Sequence, residues 1–278
     1  MVIKSSNTRN IHLWQECYHN YSIDAIKLYF KMGLIICAAQ TRPVRGDVDK
    51  NLLDHYHWIE LAATNGAQLI VFPEMSITGY EREDAHKFYF STDDKRLDTF
   101  KKLSKENKLI IIAGAPIQIN NCLFIGSFIF QPNTPTLIYT KQFLHDGEEQ
   151  LFSASNHFNP TIKLESENIQ LAICADIDHS IHPENAAKNH STLYIPSIFF
   201  SQQGIPKAYQ SLALYSKNYQ MNILMSNYVG ESYGMSAGGQ SGFWNNHGHC
   251  ISSLNDVNSG LLFIEKKGES WSSKIIYE

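Results

Sequence analysis

No stretch of this 278-residue sequence approaches the roughly 20 consecutive apolar residues of a membrane-spanning helix, so no membrane partner is expected. Cysteine is sparse. There are five, Cys17, Cys37, Cys122, Cys174 and Cys250, an odd number without a CxxC pair. That excludes a disulfide framework or a thiolate zinc site as the organising feature. Positive charge is not in excess either: 23 Lys and Arg against 27 Asp and Glu give a formal net charge of -4. Such a balance offers no electrostatic ground for nucleic acid or anionic lipid as a partner. The twelve His are scattered, with no H-E-x-x-H run. Asp176-Ile177-Asp178 is too poor in acids for a calcium or magnesium site. Neither metal nor cofactor is therefore expected. The basic cluster and unbroken apolar run of a secretory signal are missing from the first residues. With the unpaired cysteines, this gives a reduced, cytoplasmic compartment as the expected location.

What is present is a globular composition, 43% hydrophobic and 18% charged, in a chain long enough to bury a sizeable core. Residues 1–31 differ in texture from the rest. Their polar start (K-S-S-N-T-R-N) has no apolar periodicity, and Trp14, Ile23, Ile26 and Leu28 would make at most one amphipathic helix. They are expected to be a dispensable extension, disordered or an appended helix, with Met32 as the natural start of a single domain over 32–278. Strands and helices alternate from there. Apolar strands are predicted at 34–40, 68–73, 135–143, 168–173, 192–196 and 222–229, with a hairpin 109–131 turning at Asn120-Asn121. Helices are predicted over 47–67 (stripe Leu52, Leu53, Ile59, Leu61, Ala62), 94–108, 184–190 and 206–219, before a glycine-punctuated, β-rich tail. This order predicts an α/β fold of two mixed sheets between helical layers.

At three strand ends a reactive side chain follows the last apolar residue. Glu74 follows Phe72-Pro73, Lys141 follows Tyr139-Thr140, and Cys174 follows Ile169 to Ile173. A carboxylate against apolar neighbours has its pKa raised, which suits a general base. A lysine at a strand end suits a developing oxyanion. A thiol there is a candidate nucleophile. Taken singly, each has a plain alternative: a loop carboxylate, a solvated lysine, an inert buried cysteine.

Together these motifs resemble the nitrilase, or carbon–nitrogen hydrolase, superfamily. Ile35 to Asp47 is similar to its I-x-x-A-A-Q-T-x-P-x-x-G-D opening, with Asn51 beyond. Phe72-Pro73-Glu74, Tyr139-Thr140-Lys141 and Cys174-Ala175-Asp176 are similar to its F-P-E, Y-x-K and C-x-D motifs. Asn227, Gly230, Gly239, Ser241 and Gly248 are similar to a later N-x-x-G…G-x-S…G stretch. The resemblance implies a four-layer α-β-β-α sandwich of two mixed sheets and an amidase-like thiol hydrolase. In that reading Glu74 is the base, Cys174 the nucleophile and Lys141, with the backbone N–H of Ala175, the oxyanion site. Glu148, with Glu149 as its competitor by one register, is the second glutamate, and Asp176 holds the elbow structurally. It further implies a small amide or ureido (N-carbamoyl) substrate, ammonia or amine release, and a homodimer or higher homo-oligomer. The Arg and His of the family's Y-R-K-x-H-L run are replaced by Thr140 and Phe143. Cys-Ala-Asp, where nitrilases commonly read C-W-E, argues for amides over nitriles. A nitrilase and a catalytically silent binding member stay open as alternatives.

Overall fold

A run such as Ile-Ile-Cys-Ala-Ala has no polar face to offer water, so it must be covered on both sides. β1 (Leu34–Gln40) is covered in that way, with only Ile35 partly exposed. The computed structural model describes residues 33–278; the extension expected over 1–31 lies outside the described residues. α1 (Val48–Thr64) starts where the Asp47 side chain accepts from the Lys50 N–H, and it buries Asn51, Leu52, His55, Trp58, Ile59 and Ala62. Those positions are three or four apart, so one face turns inward. Leu53 falls off that face and is 69% exposed, which corrects the predicted stripe.

β2 (Leu69–Val71) and α2 (Asp98–Asn107) lead into the long hairpin of β3 (Ile110–Ile119) and β4 (Cys122–Phe130). Its turn residues Asn120 and Asn121 both have positive φ, the conformation a two-residue hairpin loop demands and asparagine tolerates. β5 (Leu137–Thr140) is shorter than the predicted strand, and β6 (Ile162–Leu164) and β7 (Glu167–Ile173) follow. α3 (Ile181–Lys188) begins before the predicted residue 184, which puts Pro183 inside its first turn, where a missing N–H costs nothing. Then come β8 (Leu193–Ser197), α4 (Ile205–Tyr219) and β9 (Asn222–Met225). The strand predicted to run on to residue 229 breaks there, and β10 (Val229–Ser232) pairs separately with β11 (Met235–Gly238). β12 (Gly242–Trp244), β13 (Cys250–Ser253), β14 (Gly260–Lys267) and β15 (Ser270–Tyr277) are the remaining strands among the described residues.

Two larger sheets result, ordered β15-β14-β1-β2-β3-β4-β5 and β13-β12-β9-β8-β7-β6. Both are mixed: β1–β2–β3 and β7–β8–β9 are parallel, and antiparallel neighbours flank them. α1 and α2 pack their apolar faces on the first sheet in a cluster that includes Ile59, Phe100, Ile111 and Phe130. α4 packs on the second through Ala208 and Leu212 against Tyr194, Ile223 and Trp244. The fold is the four-layer α-β-β-α sandwich that the motifs led one to expect. Bonds between the sheets fix their alignment: Ser226 Oγ donates to the Ala39 carbonyl at 2.6 Å and Tyr228 Oη to the Glu74 carbonyl at 2.6 Å.

Within the first sheet, Gly114 in β3 gives the loop after β2 room to lie close. A Cβ there would stand 2.4 Å from Met75 N and 2.9 Å from Pro73 O, so the Pro73-Glu74-Met75 backbone can lie on β3 only over a glycine. Gly114→Ala is expected to destabilise the protein by about 1–3 kcal/mol through overpacking, seen as a lowered midpoint in urea unfolding. An unchanged midpoint would mean the loop is free to retreat.

Candidate active site

β2, β5 and β7 belong to two different sheets, and the chain just after each one meets at a single buried point. After β2, Pro73 ends the strand and Glu74 turns inward, fully buried. Met75 behind it takes φ 49°, unusual for a side chain without a local hydrogen-bonding group. After β5 comes Lys141, also fully buried. After β7 the chain tightens at once into a 3-10 turn over Cys174–Asp178, with Cys174 at φ 43° and only 5% exposed. A left-handed cysteine at a strand end stores strain and lifts the thiol out of the strand plane. Ala175 lies in the first turn of that helix, where backbone N–H groups have no intrahelical partner.

The polar contacts are few and definite. Lys141 Nζ donates to Glu74 Oε1 at 2.8 Å and to Glu148 Oε1 at 2.8 Å. Glu148 is held by two further donors, Tyr80 Oη at 2.6 Å and the His145 N–H at 2.8 Å. Glu149 is exposed and makes no such contact, so the register ambiguity falls to Glu148. Glu74 Oε2, in contrast, is buried without a hydrogen-bond partner among the described residues. The Cys174 thiol is within 3.9 Å of the Phe199 carbonyl. Tyr80, Phe199 and Tyr228 form an aromatic wall, with ring centroids 4.8 and 5.1 Å apart.

These environments separate the charges. Burial pushes the Glu74 carboxyl up, against the pull of Lys141 and with the help of Glu148, to about 7. Burial would do the same to Glu148, but the Lys141 charge and its three donors outweigh it and hold this carboxyl below its ordinary value. Burial works against the Lys141 ammonium, yet Glu74, Cys174 and Glu148 together raise its pKa, so it stays protonated. Burial and the Glu74 charge raise the Cys174 thiol well above its ordinary range, with Lys141 offsetting only part. The resting site is therefore a neutral thiol near a proton acceptor poised close to neutrality, with a permanent cation between two carboxylates.

Asp176 fixes the relation of the Cys174 turn to the Lys141 segment. Its Oδ1 accepts from the N–H groups of Gln142 and Phe143, both at 2.9 Å. Its Oδ2 accepts from the Ile173 N–H at 2.8 Å and from Tyr139 Oη at 2.6 Å. With its proton given to Asp176, Tyr139 accepts from His182 Nε2 at 2.8 Å, and His182 Nδ1 accepts from Tyr194 Oη at 2.8 Å. Burial lowers the pKa of His182, which suits a neutral ring in that tautomer. The later motif also closes on itself: Asn227 donates to the Gly239 carbonyl and to Ser241 Oγ, and Ser241 N donates to Gln40 Oε1. No group of His, Cys, Asp and Glu among the described residues is arranged to hold a metal ion.

Glu74, Lys141, Glu148, Cys174 and Ala175 are thus brought together as the motifs suggested. Tyr80, Tyr139, Phe199 and Tyr228 were not anticipated as parts of the site. Tyr139 sat inside a motif already quoted, and Tyr80 lies in the loop that follows Glu74; Phe199 and Tyr228 gave no signal.

The profile of the carbon-nitrogen hydrolase family matches residues 35–272. The chain belongs to that family. Solved structures with the same fold include the NitN amidase from Neterenkonia sp. AN1, at TM-score 0.75 and 18% identity over 84% of this chain and 93% of that one. A Glu-to-Gln variant of the amidase from Nesterenkonia sp. AN1, with the acetamide moiety of fluoroacetamide added covalently at its active-site cysteine, matches at TM-score 0.76. It is 18% identical over 85% of this chain and 91% of that one. At such identity these likenesses speak for the fold. In sequence, an arylacetonitrilase of Aspergillus kawachii is 29% identical over 106 residues, 34% of this chain and 32% of that protein. The chain thus spans about a third of the length of that relative.

Asp176→Ala would leave three backbone N–H groups around the site without an acceptor, each costing about 1–3 kcal/mol when buried. The variant is expected to lose several kcal/mol of stability in urea unfolding. A loss under about 1 kcal/mol would show that the Cys174 turn holds without this carboxylate.

Proposed function

We propose that this carbon–nitrogen hydrolase is a thiol amidase acting on small amides through an acyl-cysteine intermediate. The observation that carries the reading is the asymmetry of the two buried carboxylates. Glu148 is saturated with donors and ionised. Glu74 spends one oxygen on Lys141 and keeps the other unpartnered, with its pKa near 7. Only Glu74 is suited to take and return a proton.

In the first half-reaction Glu74 takes the thiol proton of Cys174, and the sulfur attacks the amide carbon. The carbonyl oxygen becomes an oxyanion facing Lys141 Nζ and the Ala175 N–H. Collapse expels the amine, which leaves with the proton held by Glu74, and a thioester remains. In the second, Glu74 takes a proton from water as the oxygen attacks the thioester. A second collapse releases the carboxylic acid and returns the proton to sulfur. Glu148 and Tyr80 keep Lys141 in place throughout, and the water-poor surroundings strengthen each of these interactions.

A small substrate follows from the nearly closed thiol and its wall of Tyr80, Phe199 and Tyr228. The small Ala175 beside the nucleophile, and the butyramide complex and acetamide adduct named for the Nesterenkonia enzyme, favour amides. The partial match to an arylacetonitrilase makes a nitrile the second reading.

Ammonia release from a panel of aliphatic amides, ureido acids and nitriles distinguishes these readings. Amides are expected to be the fastest, and turnover confined to nitriles would replace the first reading with the second. Cys174→Ala is expected to retain its fold and less than about 1% of the activity; more would point to another nucleophile. Lys141→Arg is expected to lose roughly 100-fold or more in kcat, because a planar guanidinium does not fit the place of an ammonium held by two carboxylates. Near-normal kcat in that variant would remove Lys141 from the oxyanion site.

A further inference from the structure

The rim above Tyr80 carries two guanidinium groups, and only one of them is neutralised. The β10–β11 hairpin turns at Tyr233 and Gly234, both at positive φ, and lays the Tyr233 ring edge-on to Tyr80 at 5.6 Å. Tyr80 in turn donates to Glu148, so the hairpin tip lies one aromatic ring away from the catalytic cluster. Arg45 lies 5.0 Å and Arg82 5.5 Å from the centre of the Tyr233 ring. Arg45 is fully committed, paired with Glu81 and, at 2.6 Å, with Glu83. Tyr233 Oη also donates to Glu83, at 3.2 Å. Both nearby glutamates are thereby engaged.

Arg82 has no such partner. Among the described residues no carboxylate lies within 4 Å of its guanidinium, and its one hydrogen bond is a long contact of 3.4 Å to the Asp146 carbonyl. It is nevertheless placed: a Cβ on Gly147 would stand 2.6 Å from its Nη2, so the guanidinium rests on the residue just before Glu148. The glycine at 147, with φ 85°, is what lets it approach so closely. A half-buried arginine, stacked on an aromatic ring with its donors free, presents a planar fork matched to a carboxylate.

We propose that Arg82 reads an anionic group on the substrate, so that the preferred substrates are small amides carrying a carboxylate remote from the scissile bond. The ω-amides of short dicarboxylic acids and ureido acids belong to this class. The inference rests on the amidase reading above and adds the charge of the acyl chain. Tyr233 and Tyr80 would line the path between the carboxylate at the rim and the carbonyl at Cys174.

The test compares succinamate with succinamide, which have the same shape but differ in charge, in the full-length protein and in Arg82→Ala and Arg82→Lys. The wild type is expected to prefer succinamate at least tenfold in kcat/KM, with the preference shrinking as salt is added. In Arg82→Ala the ratio should fall by about tenfold, chiefly through the KM of succinamate, and Arg82→Lys should recover part of it. A wild type that hydrolyses both equally, or prefers succinamide, overturns the inference while leaving the amidase reading intact. An equal loss on both substrates in Arg82→Ala would make the residue structural and overturn it too. Release of ammonia from no amide would overturn the amidase reading and this inference together.

Discussion

Lys141 carries a full positive charge where no water reaches it, and the site depends on how that charge is compensated. An isolated buried ammonium would lose its proton, since desolvation of an ion in protein costs several kcal/mol. Here Glu74 and Glu148 each accept from it at 2.8 Å, so it is the ammonium that is stabilised. Two carboxylates around one cation leave an excess negative charge, and that excess settles on the carboxylate with fewer donors. Tyr80 and the His145 N–H anchor Glu148, so Glu74 carries the raised pKa. An ion pair of this kind is weak evidence of stability. Its chemical consequence is a base near neutrality and a fixed cation beside one thiol.

The rest of the fold keeps these groups from drifting apart. Lys141 and Glu74 leave strands of one sheet, Cys174 leaves the other, and Asp176 bonds to backbone on both sides of the junction. On the Glu74 side, Tyr228 reaches across to its carbonyl, and Gly114 gives the loop room to lie against β3. Behind that loop His55 bridges the Asn51 carbonyl and Ser76 Oγ, and burial lowers its pKa to about 4, which keeps the ring neutral. The positive φ of Cys174 and Met75 is held by these contacts.

Much of this was legible in the sequence because strand ends are marked twice, by the close of an apolar run and by the reactive residue after it. Phe72-Pro73-Glu74 and Ile173-Cys174 show both marks. The Asn120-Asn121 turn was legible because so few residue types tolerate its conformation. Position along a helix was less so: Leu53 looked like part of the α1 stripe, yet the inward face is set by Trp58, His55 and Asn51, two of which are polar. Choosing Glu148 over Glu149 needed the three-dimensional path of the chain after Lys141, since adjacent residues in a 3-10 turn point in different directions. Phe199 and Tyr228 were hidden for a similar reason. They reach the site from the second sheet, and nothing local distinguishes them from other buried aromatics.

The central claim is that Glu74 governs the proton on Cys174. Alkylation of Cys174 by iodoacetamide, itself a small amide, followed across pH by peptide mass mapping, tests this most directly. Cys122 and Cys250, both exposed, serve as internal references. Glu74 accepts the thiol proton only when ionised, so the rate at Cys174 should rise with pH through a midpoint near 7 and level off above it. In Glu74→Gln that midpoint should disappear, leaving slow reaction that rises only at alkaline pH, where a buried thiol ionises unaided. The same midpoint in both proteins would contradict the account.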